Sequence, residues 1–449
     1  MKKNNDHYTP NYKRSNFVFN NMKTHILYFL IFIFQLISNN SFAQEASDNW
    51  EYNRNKKYMF IDYENNKINN VKILAPFFKR LQKLKKTKKG QLNIVHIGDS
   101  HIQADLICKV VRQGFQDYFG NAGRGLVFSH QLAKSNAPSD VFSSSNVIWK
   151  HNRCAHPEVN TLHGISGFGI HSSNENANIT LNIKNDLVDF KFDKIQLFLG
   201  DDNSSYSLRT SNDARSYNFE TKVDIDTPSS TIFLDSLTTE FSIYKNKRNH
   251  QDSELFSFYG ASLSKKDSSG VIYHNVGCNG AQFWQFSKSK LFFNQLKALK
   301  GDLYILSFGT NEAQNSKIVT DSLINQIDIF VKNIKRINPN AVILFTMPPG
   351  SYFQAREPNK TLKTVANAIQ FYCLNNSYSY WDLYSITGGF QGAKMWNNNN
   401  LMAKDLVHFT KDGYNLQGNL LLEALVKSYN IYDRENPYII INKGSKGSK

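Results

Sequence analysis

Four cysteines in 449 residues, Cys108, Cys154, Cys278 and Cys373, are too few to hold a chain of this length as a disulfide framework. Its fold must therefore rest on buried apolar cores, which a hydrophobic content of 41% can supply. Cys108 and Cys373 fall on apolar helical faces and read as small core residues, while a bridge between Cys154 and Cys278 stays open. Long apolar runs are also missing: beyond Ile37 no segment could span a bilayer, and no apolar lid of the lipase kind is evident. Metal-ligand patterns are lacking too. His151, Cys154, His156, His163 and His171 lie close together, yet their spacing fits none of the paired Cys or His sets that hold zinc, so neither metal nor other cofactor is expected.

Acidic residues are short, 37 against 53 Lys and Arg, a net charge of +16. The first 43 residues look processed. Met22-Lys23-Thr24-His25 precedes the apolar run 26–37 and then Ser41-Phe42-Ala43, with small residues where a signal peptidase reads. Cleavage after Ala43 is expected, with Met22 a candidate true start. It would remove five basic residues and one acidic one, leaving 48 minus 36, or +12. Such a balance favours anionic partners, export argues against nucleic acid, and a Lys- and Asn-rich genome would give the same excess, so charge does not choose a substrate.

Chain organisation follows from hydrophobic period. Residues 44–90 are expected as an N-terminal helical extension, with an amphipathic helix over Val71–Leu84 and a solvated basic turn over Lys85–Lys89. Leu92–Ile97 reads as a buried strand, followed from Ile102 by a helix whose stripe is Leu106, Ile107, Val110, Val111, Phe115 and Phe119. Further on, strands at 270–275, 302–308, 341–347 and 378–383 alternate with helices at 322–337, 362–375 and 411–429. Alternation of this kind means a parallel sheet covered on both faces, with ligands at the carboxyl ends of its strands. Residues 141–255 differ, showing short alternating runs between turn residues, the pattern of a β-sandwich inserted into the α/β domain. There Tyr206, Tyr217 and Phe219 are candidates for an aromatic sugar-binding face, and core packing is the commoner fate of each. The α/β domain is thus expected in two parts, 91–140 and 256–432, with a basic tail at 433–449.

The chemistry-bearing residues fall at the expected strand ends. Gly98-Asp99-Ser100-His101 follows the first strand, and Asp405-Leu406-Val407-His408 lies some three hundred residues later. A serine hydroxyl needs a base to become a nucleophile, and a histidine oriented by a carboxylate supplies one. Ser100, His408 and Asp405 are therefore a candidate catalytic triad, with Asp382 in reserve for the carboxylate. His101 reads as a capping and packing residue. Between these ends lie Asn275-Val276-Gly277-Cys278-Asn279-Gly280 and Gly309-Thr310-Asn311-Glu312, where glycine backbone and an asparagine amide can donate to an oxyanion. The Gly164–Gly169 loop is expected to border this site.

The ordered set GDSH, NxGxNGA, GTNE and DxxHF resembles the SGNH (GDSL-type) hydrolase superfamily, over residues 91–125 and 270–430. The resemblance implies a flavodoxin-like three-layer α/β/α fold with Ser100 as nucleophile, the Ser100 N–H, Gly280 and Asn311 as oxyanion donors, and Asp405 with His408 completing the triad. Gly277 competes with Gly280, and Glu312 stands where the common form has aspartate. With the inserted β-domain and Phe119 to Gly125, the chain further resembles exported peptidoglycan O-acetylesterases, whose β-domain is carbohydrate-module-like. That implies a periplasmic or surface-displayed esterase acting on an acetylated glycan, peptidoglycan first. A carbohydrate O-acetyltransferase using the same serine, or a non-catalytic glycan-binding protein, remains the alternative.

Overall fold

The computed structural model describes residues 50–51, 56–155, 163–184, 188–200, 204–221, 228–246, 255–315 and 317–438. The expected signal segment 1–43 and most of the basic tail lie outside these residues, as does His156. Seven strands form the main sheet in the order 68–69, 379–381, 342–346, 303–307, 91–98, 270–277, 121–123. All neighbours run parallel except the antiparallel edge pair of 68–69 with 379–381. Strands buried on both faces read as continuous aliphatic runs, and Val342–Thr346 is buried at every residue.

Register places the site. Gly277 pairs with Gly98, and Ser307 pairs with Gly98 on its other side, so three strands end at one level. The segments that follow, Asp99-Ser100, Asn279-Gly280 and Gly309 to Asn311, therefore emerge together at the carboxyl edge.

Helices cover both faces, the three-layer α/β/α arrangement expected. On one side Ala75–Thr87, Leu106–Phe119 and Lys411–Glu435 meet through ring contacts such as Phe77 with Phe115 and Phe78 with Tyr429. On the other, Phe330 of Thr320–Ile337 meets Phe283 and Phe293. Residues 68–87, expected to precede the domain, supply it with an edge strand and a covering helix. That helix runs through Lys85 to Thr87 instead of stopping at a basic turn, because lysine is a good helix former and its charge suits a helix C-terminus.

Between the strands 121–123 and 270–277 lie two antiparallel sheets, of five and six strands. Their inner faces meet through Phe192 with Phe241 and Tyr206 with Phe256. The six-stranded sheet also takes in Phe256–Ser264, and Gly125–Val127 pairs with it, both outside 141–255. All nine residues of Phe256–Ser264 are buried, so the strand lacks the alternation that marks its neighbours. Tyr206 is fully buried and stacks on Phe219, and the Tyr217 hydroxyl donates to Asp213 at 2.8 Å. Tyr206 and Phe219 thus pack with each other and do not form an outward sugar face.

The helix expected from Ile102 is broken at Asp105, which is left-handed at φ 65°. Its carboxylate is drawn into a buried ion network: Arg112 donates to both oxygens, and Arg124 donates from Nη2 at 2.7 Å. Arg124 also reaches Asp140 with Nε at 2.5 Å and Nη2 at 3.0 Å, tying the serine-bearing helices to the start of the antiparallel sheets. Burial raises the Asp140 carboxyl, but the Arg124 charge and hydrogen bonds outweigh it and hold the group well below the usual carboxylate range. Removing one partner from such a network leaves a buried charge unpaired, which costs about 3–5 kcal/mol. Arg124→Met is expected to lower stability to denaturant by that much, and a loss under about 1 kcal/mol would show the network to be incidental.

Candidate active site

Ser100 opens the short helix Ser100–Gln103, and the Asp99 carboxylate caps it by accepting the His101 N–H at 3.0 Å. For that helix to sit against the neighbouring strand, Gly277 must be bare: a Cβ there would lie 2.2 Å from the Gln103 nitrogen. Ser100 is partly exposed at this turn.

His408 and Asp405 come from the loop between Gly389–Asn398 and Lys411–Glu435. Leu406 between them is left-handed at φ 57°, which folds the loop tightly enough for one carboxylate to serve three donors. Asp405 Oδ1 accepts the Val407 and His408 N–H groups at 3.0 and 2.9 Å, and Oδ2 lies 2.7 Å from His408 Nδ1. With Nδ1–H given to Asp405, Nε2 is the acceptor, and it stands 2.8 Å from Ser100 Oγ. Partial burial pushes the Asp405 carboxyl up, but the His408 backbone and ring and the Val407 N–H outweigh it and hold the group below its ordinary range. Asp382 is elsewhere engaged, capping Leu383–Ile386 by accepting the Ser385 N–H. Asp405→Asn is therefore expected to lower turnover of a 4-nitrophenyl ester by roughly 10²- to 10⁴-fold while Asp382→Asn changes it little; the opposite pattern would reassign the carboxylate.

His101 is buried, its ring centre 5.3 Å from that of His408 and its Nδ1 3.0 Å from the Tyr414 hydroxyl. Burial, reinforced by the His408 charge, pushes it down to about 3, so it packs as a neutral ring.

Gly280 sits exposed on a turn at φ 81°. Gly277, its competitor, is packed into the strand end. The Asn311 amide donates to the Ala281 carbonyl at 3.0 Å and, more weakly, to Asp99 Oδ2 at 3.4 Å. It is thus held between the residue after Gly280 and the residue before Ser100. Two supporting residues carried no sequence signal of this role. Gln103 accepts the Asn279 N–H at 2.7 Å, fixing the turn that bears Gly280. Glu312 accepts the Phe283 and Gly309 N–H groups at 3.1 and 3.0 Å, joining the segments that carry Gly280 and Asn311, and burial pushes it up to about 7. The bond from the Gly309 N–H to Glu312 is half of a capping box, since glycine has no side chain to return the other half.

The Gly164–Gly169 loop lies against the Gly280 segment, since a Cβ at Gly167 would meet Cys278 Cβ at 3.1 Å. Cys154, whose N–H bonds the Gly167 carbonyl at 2.8 Å, and Cys278 are both free and buried. His171, from the histidine-rich stretch, bonds Ser257 and Asn152.

Residues 235–416 match the model of the GDSL-like Lipase/Acylhydrolase family. That stretch takes in Gly280, Asn311, Asp405 and His408 and stops short of Ser100, which the antiparallel sheets separate from it. Over that stretch the chain is similar to GDSL-like acylhydrolases, and it is an enzyme that cleaves carboxylic ester bonds. Among solved structures, one described as a peptidoglycan O-acetylesterase in action is 21% identical, with a TM-score of 0.68 over 81% of this chain and 99% of that one. At that identity the likeness is one of fold. A lipase/acylhydrolase from Enterococcus faecalis is 20% identical over 35% of this chain and 77% of that one, at a TM-score of 0.29. A family two carbohydrate esterase from Cellvibrio japonicus is 10% identical over 64% and 99%, at 0.27. No curated protein matches at the sequence level. Among the described residues no helix is long and apolar enough to cross a membrane.

Proposed function

We propose that this chain is an exported serine esterase that removes O-acetyl groups from peptidoglycan. One observation carries the reading: the unbroken line from Asp405 through His408 to Ser100 Oγ, with bonds of 2.7 and 2.8 Å, on a partly exposed strand-end turn. Ser100 Oγ attacks the acetyl carbonyl carbon as its proton passes to His408 Nε2. The tetrahedral oxyanion is held by the N–H groups of Ser100 and Gly280 and by the Asn311 amide, whose weak bond to Asp99 is the one an oxyanion would replace. Loss of one such donor typically costs about 3 kcal/mol of barrier. His408 then protonates the departing sugar oxygen, leaving acetyl on Ser100. Water attacks that ester, His408 again takes the proton, and acetate leaves with Ser100 restored.

Peptidoglycan as the polymer is supported by the fold likeness to a peptidoglycan O-acetylesterase along nearly all of that chain, and export by the N-terminal segment. The test is acetate release from O-acetylated peptidoglycan, with acetylated xylan and 4-nitrophenyl acetate alongside. Preference for the wall polymer is expected. Turnover of the nitrophenyl ester alone would keep the serine chemistry and discard the polymer.

A further inference from the structure

A second concavity lies apart from the serine, with about 300 Å³ of space for water, between residues 57–63 and the outer side of Lys411–Glu435. Its volume is at the lower end for small-ligand sites. One wall is a stripe of the helix, Asp412, Asn415 and Asn419, repeating at three and four residues so that all face the groove. Facing it stand Lys57, Tyr58 and Tyr63. The Tyr63 hydroxyl accepts the Tyr58 N–H at 3.3 Å, and Lys427 of the helix donates to the Tyr63 carbonyl at 3.3 Å, tying this strap to the helix. Glu423 closes the far end, its charge met by Lys427 at 2.8 Å.

The chemistry of these walls selects a ligand. Asp412, Asn415 and Asn419 make no hydrogen bond to the protein among the described residues, so their polar groups remain for something else. A carboxamide both donates and accepts, as a sugar hydroxyl does, and two amides one helical turn apart can bond successive hydroxyl pairs. The Tyr58 ring supplies an apolar face of the kind that covers the C–H side of a pyranose. Lys57 and Asp412 oppose each other in charge, so neither an anion nor a cation is favoured. From Asp412 to Glu423 the helix rises about 16 Å, a length suited to several linked units in a line. The near end begins four residues beyond His408.

We infer that this groove binds a linear, uncharged stretch of glycan, extending the polymer contact beyond the serine site. The inference rests on the esterase reading only for the choice of polymer. A tetramer of β-1,4-linked N-acetylglucosamine, which carries no O-acetyl ester, is the probe, titrated calorimetrically into the native chain. Asn415→Ala with Asn419→Ala, and separately Tyr58→Ala, are expected to weaken binding about tenfold or more while the denaturation midpoint stays unchanged. Equal affinity in native and variant chains would overturn the inference, as would no binding at about 1 mM, the weak end of specific affinity. A chain that binds the tetramer but releases no acetate would refute the esterase and keep the groove; the reverse would refute the groove alone.

Discussion

Ser100→Ala is expected to lower kcat for acetate release by roughly 10⁴- to 10⁶-fold with little change in KM, because it deletes the atom that bonds to carbon while leaving the surrounding donors in place. The magnitude follows from how triads work as units. Without Oγ, His408 has nothing to deprotonate but water, and the hydrogen-bonded chain from Asp405 ends at 2.8 Å from an empty position. Residual turnover would come from the oxyanion donors acting on a water attack. Ser100 is partly exposed and caps nothing, so the denaturation midpoint should hold. A loss smaller than about a hundredfold would rule out an acyl-enzyme on Ser100.

The second large effect is acid lability. Burial pushes His96, His101, His130 and His274 down to about 3 and His163 to about 4, and lowers His171. Each is neutral when folded and titrates near 6.5 when unfolded, so its contribution to stability is complete above 6.5 and is lost as the pH falls towards the folded value. Three buried carboxyls work the other way: burial raises Asp99 to about 8, Glu312 to about 7, and Asp302 above its usual range. Five histidines, at about 3 or 4 when folded, gain a proton on unfolding while Asp99 and Glu312 each lose one, a net uptake of about three, and His171 and Asp302 act in opposite directions. Stability should then fall as the pH drops below 6.5, steepening to about 4 kcal/mol per pH unit between about pH 5.5 and 4.5, a large part of the margin of a typical domain. Denaturation midpoints measured across this range test it, and a flat profile would mean that the buried rings are protonated or accessible in the folded chain.

Some of this architecture was open to a reader of the chain. Aliphatic runs ending in glycine marked the strands at 91–98, 270–277 and 303–307, because a strand buried on both faces must be apolar throughout. Ser100, Asp405 and His408 stood out because nucleophile, base and orienting carboxylate can be drawn from so few residue types. Phe256–Ser264 was missed for a complementary reason: buried on both faces, it shows no alternation, and only its partners reveal which sheet it joins. Asp105 likewise reads as a polar residue in a helix until Arg112 and Arg124 are brought to it.

By itself, the sequence determined which chemistries this protein can perform and the order in which their residues meet the sheet edge. Hydrophobic period and residue type are local properties, and they suffice for strands, helices and a candidate nucleophile. Only the tertiary structure distinguished the two glycines, packing Gly277 against Gln103 and leaving Gly280 exposed on a turn, since they do not differ in type. It alone set Gln103 and Glu312 behind the segments that carry Gly280 and Asn311 and left Tyr58 facing Asn415 and Asn419 across a groove. Those pairings join residues far apart in the chain, and their energies depend on burial and distance, quantities that exist only once the chain has folded.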